Sequence, residues 1–103
     1  MSTHPYQSMA SKAGKAEALL KQLANTKRLM VLCTLSQGEH HAGELSRVTG
    51  LSSSALSQHL AKMLQMNLVS REKRGQYVFY RIASPEAQAL LSTLYLIYCH
   101  PAH

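Results

Sequence analysis

The spacing of apolar residues changes at Asn67, and this change limits the folds that the sequence can adopt. Before Asn67, apolar residues recur every three or four positions, which is typical of helices that bury one face. After Asn67, two short runs are rich in β-branched and aromatic residues, which is typical of strands. The sequence therefore predicts a mainly helical chain in which a β-hairpin precedes one last helix.

Residues typical of helix ends delimit the predicted helices. Asn25 and Ser52 are suited to cap helix N-termini, and Gly50 is suited to end a helix. On the helix that Gly50 ends, Leu45 and Val48 are predicted to face inward. The predicted helices are Ser11–Ala24, Asn25 to just before Gly38, Ala42–Thr49, Ser53–Met66, and Pro85 to about Cys99 with Ser84 as its cap.

A β-hairpin with a basic turn is predicted after the fourth helix. Its strands are Leu68–Glu72 and Tyr77–Ile82, and its turn is Lys73-Arg74-Gly75-Gln76. The pair His40-His41 is assigned to a loop. The resulting order is α-α-α-α-β-β-α, with two short helices joined by Gly50-Leu51-Ser52 in front of the hairpin. This order predicts a mainly α fold, the winged helix-turn-helix.

A chain of 103 residues has room for one domain. We predict a flexible N-terminus at 1–11, a winged-helix domain at 12–100 and a C-terminal tail at 101–103. The N-terminus lacks the apolar run of a signal peptide, and no stretch approaches the roughly 18 apolar residues of a membrane span. The predicted location is the cytoplasm, without membrane attachment.

The chain carries eleven Lys and Arg against five Glu, which gives a formal net charge of +6. Such an excess favours a polyanionic partner or an acidic membrane surface, although a merely solvated basic face is the simpler alternative. Between Arg47 and Arg81 the cations are opposed only by Glu72. Because they fall on the two short predicted helices and on the hairpin, they favour double-stranded DNA as the partner.

The start of the fourth helix carries the small polar side chains that a recognition helix needs near phosphates and base edges. Gln58 is suited to a bidentate contact with adenine, whereas Ser54 and Ser57 can bond phosphate or base. His59, beside the inward Leu60, either packs or contacts DNA. The hairpin tip offers cations to a phosphate backbone or a minor groove, unless it is only an exposed turn. The predicted DNA-binding residues are Ser53, Ser54, Ser57, Gln58, His59, Lys62, Arg71, Lys73, Arg74 and Gln76.

These motifs resemble the ArsR/SmtB family of winged-helix repressors. The resemblance extends from about Leu19 to Cys99, and three segments carry it: Gly43-Glu44-Leu45-Ser46, Leu51 to Leu60, and Gly75-Gln76-Tyr77-Val78-Phe79-Tyr80. It implies a homodimer joined through the first and last helices, with two recognition helices that read a near-palindromic operator. It also implies an inducer that lowers the affinity for DNA.

Many members of this family sense metals, and the sequence departs from their patterns. Ser46 and Arg47 follow Glu44-Leu45 where the cadmium, lead and arsenic sensors carry cysteines. In the last helix Glu86 is the only acid, and no histidine precedes position 100. A first-row metal needs three or four converging donors, so we predict no metal and no other cofactor.

Cys33 and Cys99, the only two cysteines, fall on the second helix and at the end of the last helix. This placement resembles the HlyU/BigR/SqrR branch of the family, whose members sense persulfides and related oxidants. The resemblance implies that the two cysteines form a redox switch, bridged directly or through added sulfur atoms. A direct bridge needs Cα atoms within about 7 Å of each other. From the residues alone, Cys33 is equally compatible with a buried structural cysteine.

The prediction is a DNA-binding transcriptional repressor that a persulfide or another oxidant induces through Cys33 and Cys99. The alternative is a metal-responsive, zinc-type repressor that uses Cys99, His100 or His103 with Cys33 or with histidines across the dimer. The simpler interpretation of the histidines is that they are exposed to solvent and bind no metal. A thiol enzyme is the third class, but the sequence shows neither paired carboxylates nor a Gly-rich phosphate loop. We therefore predict that the chain is not an enzyme.

Overall fold

The computed structural model describes residues 5–99, with side chains from residue 8 onward, and this part of the chain is a winged helix-turn-helix. Its helices are α1 (Pro5–Leu23), α2 (Thr26–Leu35), α3 (Ala42–Thr49), α4 (Ser53–Gln65) and α5 (Pro85–Tyr98). Its strands are β1 (His40–His41), β2 (Val69–Arg74) and β3 (Tyr77–Ile82). They form an antiparallel sheet in the order β1-β3-β2. The mainly α fold class is thus confirmed.

The first helix begins at Pro5, well before the predicted start at Ser11. Pro is tolerated in a first helical turn, because the N–H that it lacks would have no acceptor there. The predicted flexible segment 1–11 therefore overlaps α1 from residue 5 onward. Residues 1–4 and the predicted tail 101–103 lie outside the described residues. Among those that are described, no helix is both long and apolar enough to cross a bilayer.

One core joins α2, α3, α4, α5 and the sheet. Its largest fully buried side chains are Leu32, Leu45, Leu56, Met63, Leu68, Leu91 and Val31. From α1, the core receives Leu23 at the C-terminal end, and the described side chains before Leu19 are mostly exposed. Arg28 of α2 donates a hydrogen bond from Nη1 to the carbonyl of Gln22, which ties α2 to the end of α1. The core thus fixes the helix-turn-helix and the β2–β3 hairpin, which is the wing of the fold. It leaves most of α1 outside.

The predicted helix caps are confirmed. Asn25 accepts a hydrogen bond from the backbone N–H of Arg28 at 2.9 Å, and Ser84 accepts one from Ala87 at 3.1 Å. Each cap satisfies one of the N–H groups that a helix N-terminus leaves without an intrahelical acceptor. Because such caps need only neighbouring residues, the sequence predicts them well.

The turn between α3 and α4 is held by side-chain hydroxyls and by one glycine. Gly50 has a φ of 74°, a left-handed conformation that a side chain would strain, and its N–H donates to the carbonyl of Ser46 at 2.8 Å. Thr49, which is buried, donates from Oγ1 to the carbonyl of Leu45 at 2.6 Å and accepts from the N–H of Leu51 at 3.3 Å. Ser52 then caps α4 by accepting from Ala55 at 3.1 Å. These bonds set the angle between the two helices.

Two local predictions in and near α3 were wrong. Val48, predicted to face inward, has 59% of its surface exposed. The buried positions of this short helix are Leu45 and Thr49, whereas Val48 borders an open surface groove that residues of α2 and α5 also line. His40 and His41 form a strand, not a loop, because they pair with Tyr80 and Phe79 of β3. A strand of two residues is too short to show alternation in sequence.

The hairpin turn is also shorter than predicted. β2 continues to Arg74, which pairs with Tyr77, so that only Gly75 and Gln76 form the turn. Gly75 has a φ of 64°, the conformation that the first position of a two-residue hairpin turn favours. The extra length was hidden because the outer part of β2 is exposed on both faces and therefore polar throughout. The wing is consequently a paired two-stranded ribbon almost to its tip.

Candidate nucleic-acid interface and thiol groove

The predicted recognition helix α4 presents a polar face to solvent. Its apolar residues Leu56, Leu60 and Met63 are buried in the core. The exposed side chains on the remaining surface are those of Ser53, Ser54, Ser57, Gln58, Ala61, Lys62 and Gln65. Positions three and four residues apart lie together on a helix, so this spacing places 54, 57, 58 and 62 along one side. His59 is half-buried at the edge of this surface.

The wing adds cations beside the helix-turn-helix. β2 is buried at Val69 and exposed from Arg71 to Arg74, and the turn residue Gln76 is exposed as well. Arg71 and Lys73 therefore present their charges to solvent. All ten residues that the sequence predicts for DNA binding thus lie at least partly at the surface, on α4 or on the wing.

The side chain of Arg74 contacts three other side chains of the same protein. Its Nη2 donates a hydrogen bond to the carboxylate of Glu39, its guanidinium carbon lies 4.1 Å from the centroid of the Phe79 ring, and its Nε lies 3.7 Å from Oε1 of Glu72. The bond to Glu39 is the main cause that raises the pKa of Arg74 above its ordinary value. The wing arginine is therefore a permanent cation in a defined position.

Sequence reasoning missed the role of His41. Its Nδ1 accepts from the N–H of Glu44 at 3.4 Å, while the N–H of His41 donates to Oε1 of Glu44 at 3.0 Å, a capping box at the start of α3. The backbone hydrogen bond from His41 is the main cause that lowers the pKa of Glu44. The His41 ring also stacks on Tyr77 at a centroid distance of 4.9 Å and meets the edge of Phe79 at 5.7 Å. The three-residue spacing to Glu44 was the available signal, but capping boxes usually begin with Ser or Thr.

The two cysteines line one surface groove. Cys33 of α2 is half-buried, Cys99 at the end of α5 is exposed, and both are free thiols. The groove has a volume of about 230 Å³, and its other lining residues are Met30, Thr34, Val48, Thr49 and Tyr95. The fold thus brings to one place two thiols that the sequence puts on separate helices.

Burial and the neighbouring thiol both raise the pKa of Cys33. Burial is the larger cause that raises its pKa, and the negative charge of Cys99 raises it further. Because the thiolate is the nucleophilic form, Cys33 is a poor nucleophile at neutral pH. Cys99, which is exposed, is the thiol that a reagent reaches first.

The alternative metal site lacks a donor set within residues 5–99, where no three His, Cys, Asp or Glu side chains come together to hold an ion. His40 and His41, both half-buried, serve the sheet and the cap of α3. His100 and His103, which the sequence offered as ligands beside Cys99, lie outside the described residues. The described part of the molecule therefore offers a pair of thiols and not a metal-binding group.

Comparison with known proteins agrees with this architecture. Residues 25–71 match the family model described as "Bacterial regulatory protein, arsR family". The transcriptional activator HlyU of Vibrio cholerae is 45% identical over 93 residues, which are 90% of this chain and 86% of HlyU. The chain belongs to the ArsR family. Members of this family are DNA-binding transcriptional regulators. This protein is therefore a DNA-binding transcriptional regulator and not an enzyme.

Two solved structures place the chain within the HlyU/BigR branch of the ArsR family. The structure titled "Reduced HlyU from Vibrio cholerae N16961" has a TM-score of 0.83 and 45% identity, and covers 91% of this chain and 99% of that one. The transcriptional repressor BigR from Xylella fastidiosa has a TM-score of 0.86 and 33% identity, and covers 95% of this chain and 97% of that one. The likeness extends over the whole winged-helix fold, including α1 and α5.

We expect iodoacetamide to alkylate Cys33 more slowly at neutral pH than it alkylates a fully exposed cysteine. The raised pKa leaves fewer thiolates, so the rate should increase with pH through a midpoint above the ordinary thiol value. Mass spectrometry of proteolytic peptides distinguishes Cys33 from Cys99. In Cys99→Ser the midpoint should fall, because one cause is removed, yet stay above the ordinary value, because burial remains. A wild-type midpoint at or below the ordinary value contradicts this assignment.

Proposed function

We propose that this protein is a repressor that binds operator DNA as a homodimer and releases it when Cys33 and Cys99 are joined. The inducer in this proposal is a persulfide or another thiol oxidant, and the place of action is the cytoplasm. The observation that carries the proposal is the single groove lined by both cysteines and by two residues of α3. The proposal treats this groove as the sensor and α4 with the wing as the DNA-binding surface.

The charge and shape of the surface support the DNA contact. Small exposed hydroxyls at the start of α4 permit close approach of a helix to phosphates and base edges, and Gln58 beside them has the donor and acceptor that adenine requires. Arg71, Lys73 and Arg74 supply charge on the wing, in a chain of net charge +6. We propose that α4 reads bases while the wing contacts the phosphate backbone.

Gln58→Ala and Lys73→Ala separate these two roles. We expect Gln58→Ala to weaken binding at one operator position by about 1 to 3 kcal/mol and to relax the base preference there. Lys73→Ala should weaken binding to all duplexes alike and reduce the salt slope of log K by about 1, because one phosphate contact is lost. The measurement is fluorescence anisotropy with a duplex that the wild-type protein enriches from a random-sequence pool, and with a shuffled duplex. Equal losses on both duplexes for Gln58→Ala would show that it reads no base.

The proposed dimer is supported by an apolar surface on the first and last helices. A groove lined by Leu20, Leu23, Ala24, Leu29, Leu90, Thr93 and Leu94 runs between α1, α2 and α5. Near the end of α5, Leu96 and Ile97 are 57% and 58% exposed. Adjoining exposed apolar residues of this extent usually mark an interface. A second copy of the chain is the occupant that we propose, in agreement with the dimer that the family resemblance implies.

We expect sedimentation equilibrium to show a dimer of the full chain and Leu90→Arg to convert it to a monomer. A charge on this face would be buried without a partner in the dimer, which is strongly unfavourable. Val48→Arg is the matched control, because Val48 is also an exposed apolar residue but lies on α3. A monomeric wild-type protein, or a dimer that Val48→Arg disrupts and Leu90→Arg does not, would contradict the proposed interface.

The difference between the two thiols supports an order of reaction. The exposed Cys99 takes the outer sulfur of an organic persulfide, R–S–SH, and R–SH leaves. The Cys33 thiolate then attacks the inner sulfur of the Cys99 persulfide, which forms the disulfide and releases hydrogen sulfide. An additional sulfur atom, delivered before closure, would give a longer bridge. The raised pKa leaves little Cys33 thiolate, but proximity offsets this in the second step, because the electrophile is already held in the same groove.

The groove also suggests how a bridge reaches the DNA-binding surface. Two of its lining residues, Val48 and Thr49, belong to α3. Thr49 accepts a hydrogen bond from Leu51 in the turn that leads to α4. We propose that a bridge changes the packing of α2 and α5 against this end of α3 and thereby shifts α4.

Treatment of the reduced protein with an organic persulfide should lower its affinity for the enriched duplex. The expected loss is on the order of 5- to 150-fold, the range of typical allosteric couplings. Cys33→Ser and Cys99→Ser should each bind the duplex as reduced wild type does and should not respond. Mass spectrometry of the treated wild type should show a peptide pair linked through Cys33 and Cys99. An unchanged affinity of the bridged protein, or an equal response in both variants, would refute the redox control.

A further inference from the structure

Glu39 is an acidic residue in contact with the basic wing. It lies in the connection before β1, and its carboxylate accepts the hydrogen bond from Nη2 of Arg74. The two side chains are 38% and 45% exposed. An acid beside a surface proposed to bind DNA is unfavourable, because it repels phosphates. Its presence there calls for a physical explanation.

The contacts of Arg74 connect the wing to the start of α3. The guanidinium of Arg74 covers the ring of Phe79, and Phe79 pairs with His41 across β3 and β1. The His41 ring lies against both Phe79 and Tyr77, and the same ring caps α3. We name these five residues, Glu39, His41, Arg74, Tyr77 and Phe79, the wing clamp.

The wing depends on such a clamp because a two-stranded hairpin is only marginally stable on its own. β1 supplies only two residues to the sheet, so the backbone holds the outer part of the hairpin only weakly from that side. α3 in turn packs against α4, the helix proposed to enter the major groove. A contact that fixes the wing relative to α3 therefore also fixes the wing relative to α4.

We propose that Glu39 is a positioning residue for DNA binding, which holds Arg74 and thereby the wing in register with α4. Glu39 takes one nitrogen of a guanidinium that has five N–H donors, so the same arginine still has donors for a phosphate. In this role the acid increases the affinity for DNA despite its charge. The inference rests on the DNA-binding surface proposed above and is independent of the cysteines.

The two possible roles of Glu39 predict opposite changes in the affinity for DNA. If Glu39 only repels DNA, Glu39→Gln removes a negative charge and binding becomes tighter. If Glu39 positions the wing, Glu39→Gln replaces the charge-assisted hydrogen bond to Arg74 with a weaker neutral one, and DNA binding becomes weaker. The matched control is Glu17→Gln, the same change of charge on α1, where the glutamate pairs with Lys21 at 3.6 Å and not with the wing.

The experiment measures the affinity of the full chain for the enriched duplex over a series of salt concentrations. We expect Glu39→Gln to weaken binding about three- to tenfold, which is in the lower part of the range of couplings between neighbouring side chains. Glu17→Gln should not weaken it. The salt slope should be unchanged in Glu39→Gln and smaller by about 1 in Arg74→Gln, since only the latter removes a cation. In the double variant, Glu39→Gln should add nothing to the effect of Arg74→Gln.

A spectroscopic readout tests the clamp without DNA. In the wild type, the Phe79 ring current should shift the Arg74 side-chain protons upfield in NMR spectra. In Glu39→Gln these resonances should move toward values of a free arginine, while the resonances of core methyl groups such as those of Leu45 stay in place. A global shift of the spectrum would contradict a role confined to the wing.

Three further results overturn the proposal. They are tighter or unchanged binding in Glu39→Gln, a full additional loss from Glu39→Gln in the Arg74→Gln background, and Arg74 protons that do not sense the Phe79 ring. A wild-type protein that enriches no duplex contradicts the proposed function and this inference together. A wild type that binds, combined with any of the three results, contradicts the role of Glu39 alone.

Discussion

The hydroxyl of Thr49 satisfies two backbone groups at the turn between α3 and α4, and the orientation of the recognition helix depends on it. The hydroxyl donates to the carbonyl of Leu45 and accepts from the N–H of Leu51 while the side chain is buried. A buried backbone group without a partner would cost about 1 to 3 kcal/mol, so this turn has few alternative conformations. The direction in which the exposed polar face of α4 points therefore depends on this turn.

The same residue borders the groove that contains both cysteines. A protein that couples a chemical signal to DNA binding needs an element that both sites contact, and α3 is such an element here. Its core side chain Leu45 attaches it to the rest of the domain, whereas Val48 faces the groove. The proposed sensor and the proposed DNA-binding surface are therefore separated by little more than one short helix.

The sequence predicts those structural features that interactions between neighbouring residues determine. Asn25, Ser52 and Ser84 cap helices through neighbouring residues, and Gly50 ends α3 because only glycine adopts its conformation easily, so these positions could be identified without a structure. The pairing of His41 with Phe79 joins residues distant in sequence and leaves no periodic signal. The common groove of Cys33 and Cys99 likewise depends on how α2 packs against α5. The exposed serines of α4 were predicted from composition and position, whereas the contact between Glu39 and Arg74 required coordinates.

The position of α1 has a thermodynamic consequence. Only its C-terminal end, at Leu23, enters the core, and most of its described side chains are exposed. Most helical stability in proteins comes from the packing of an apolar face, so the order of α1 depends on whatever covers its apolar residues. If a second copy of the chain covers them, folding of this helix and association are one equilibrium, and the helical content of the protein becomes a function of its concentration. At protein concentrations below the dissociation constant of such a dimer, the operator itself, by bringing two protomers together, would then complete the fold.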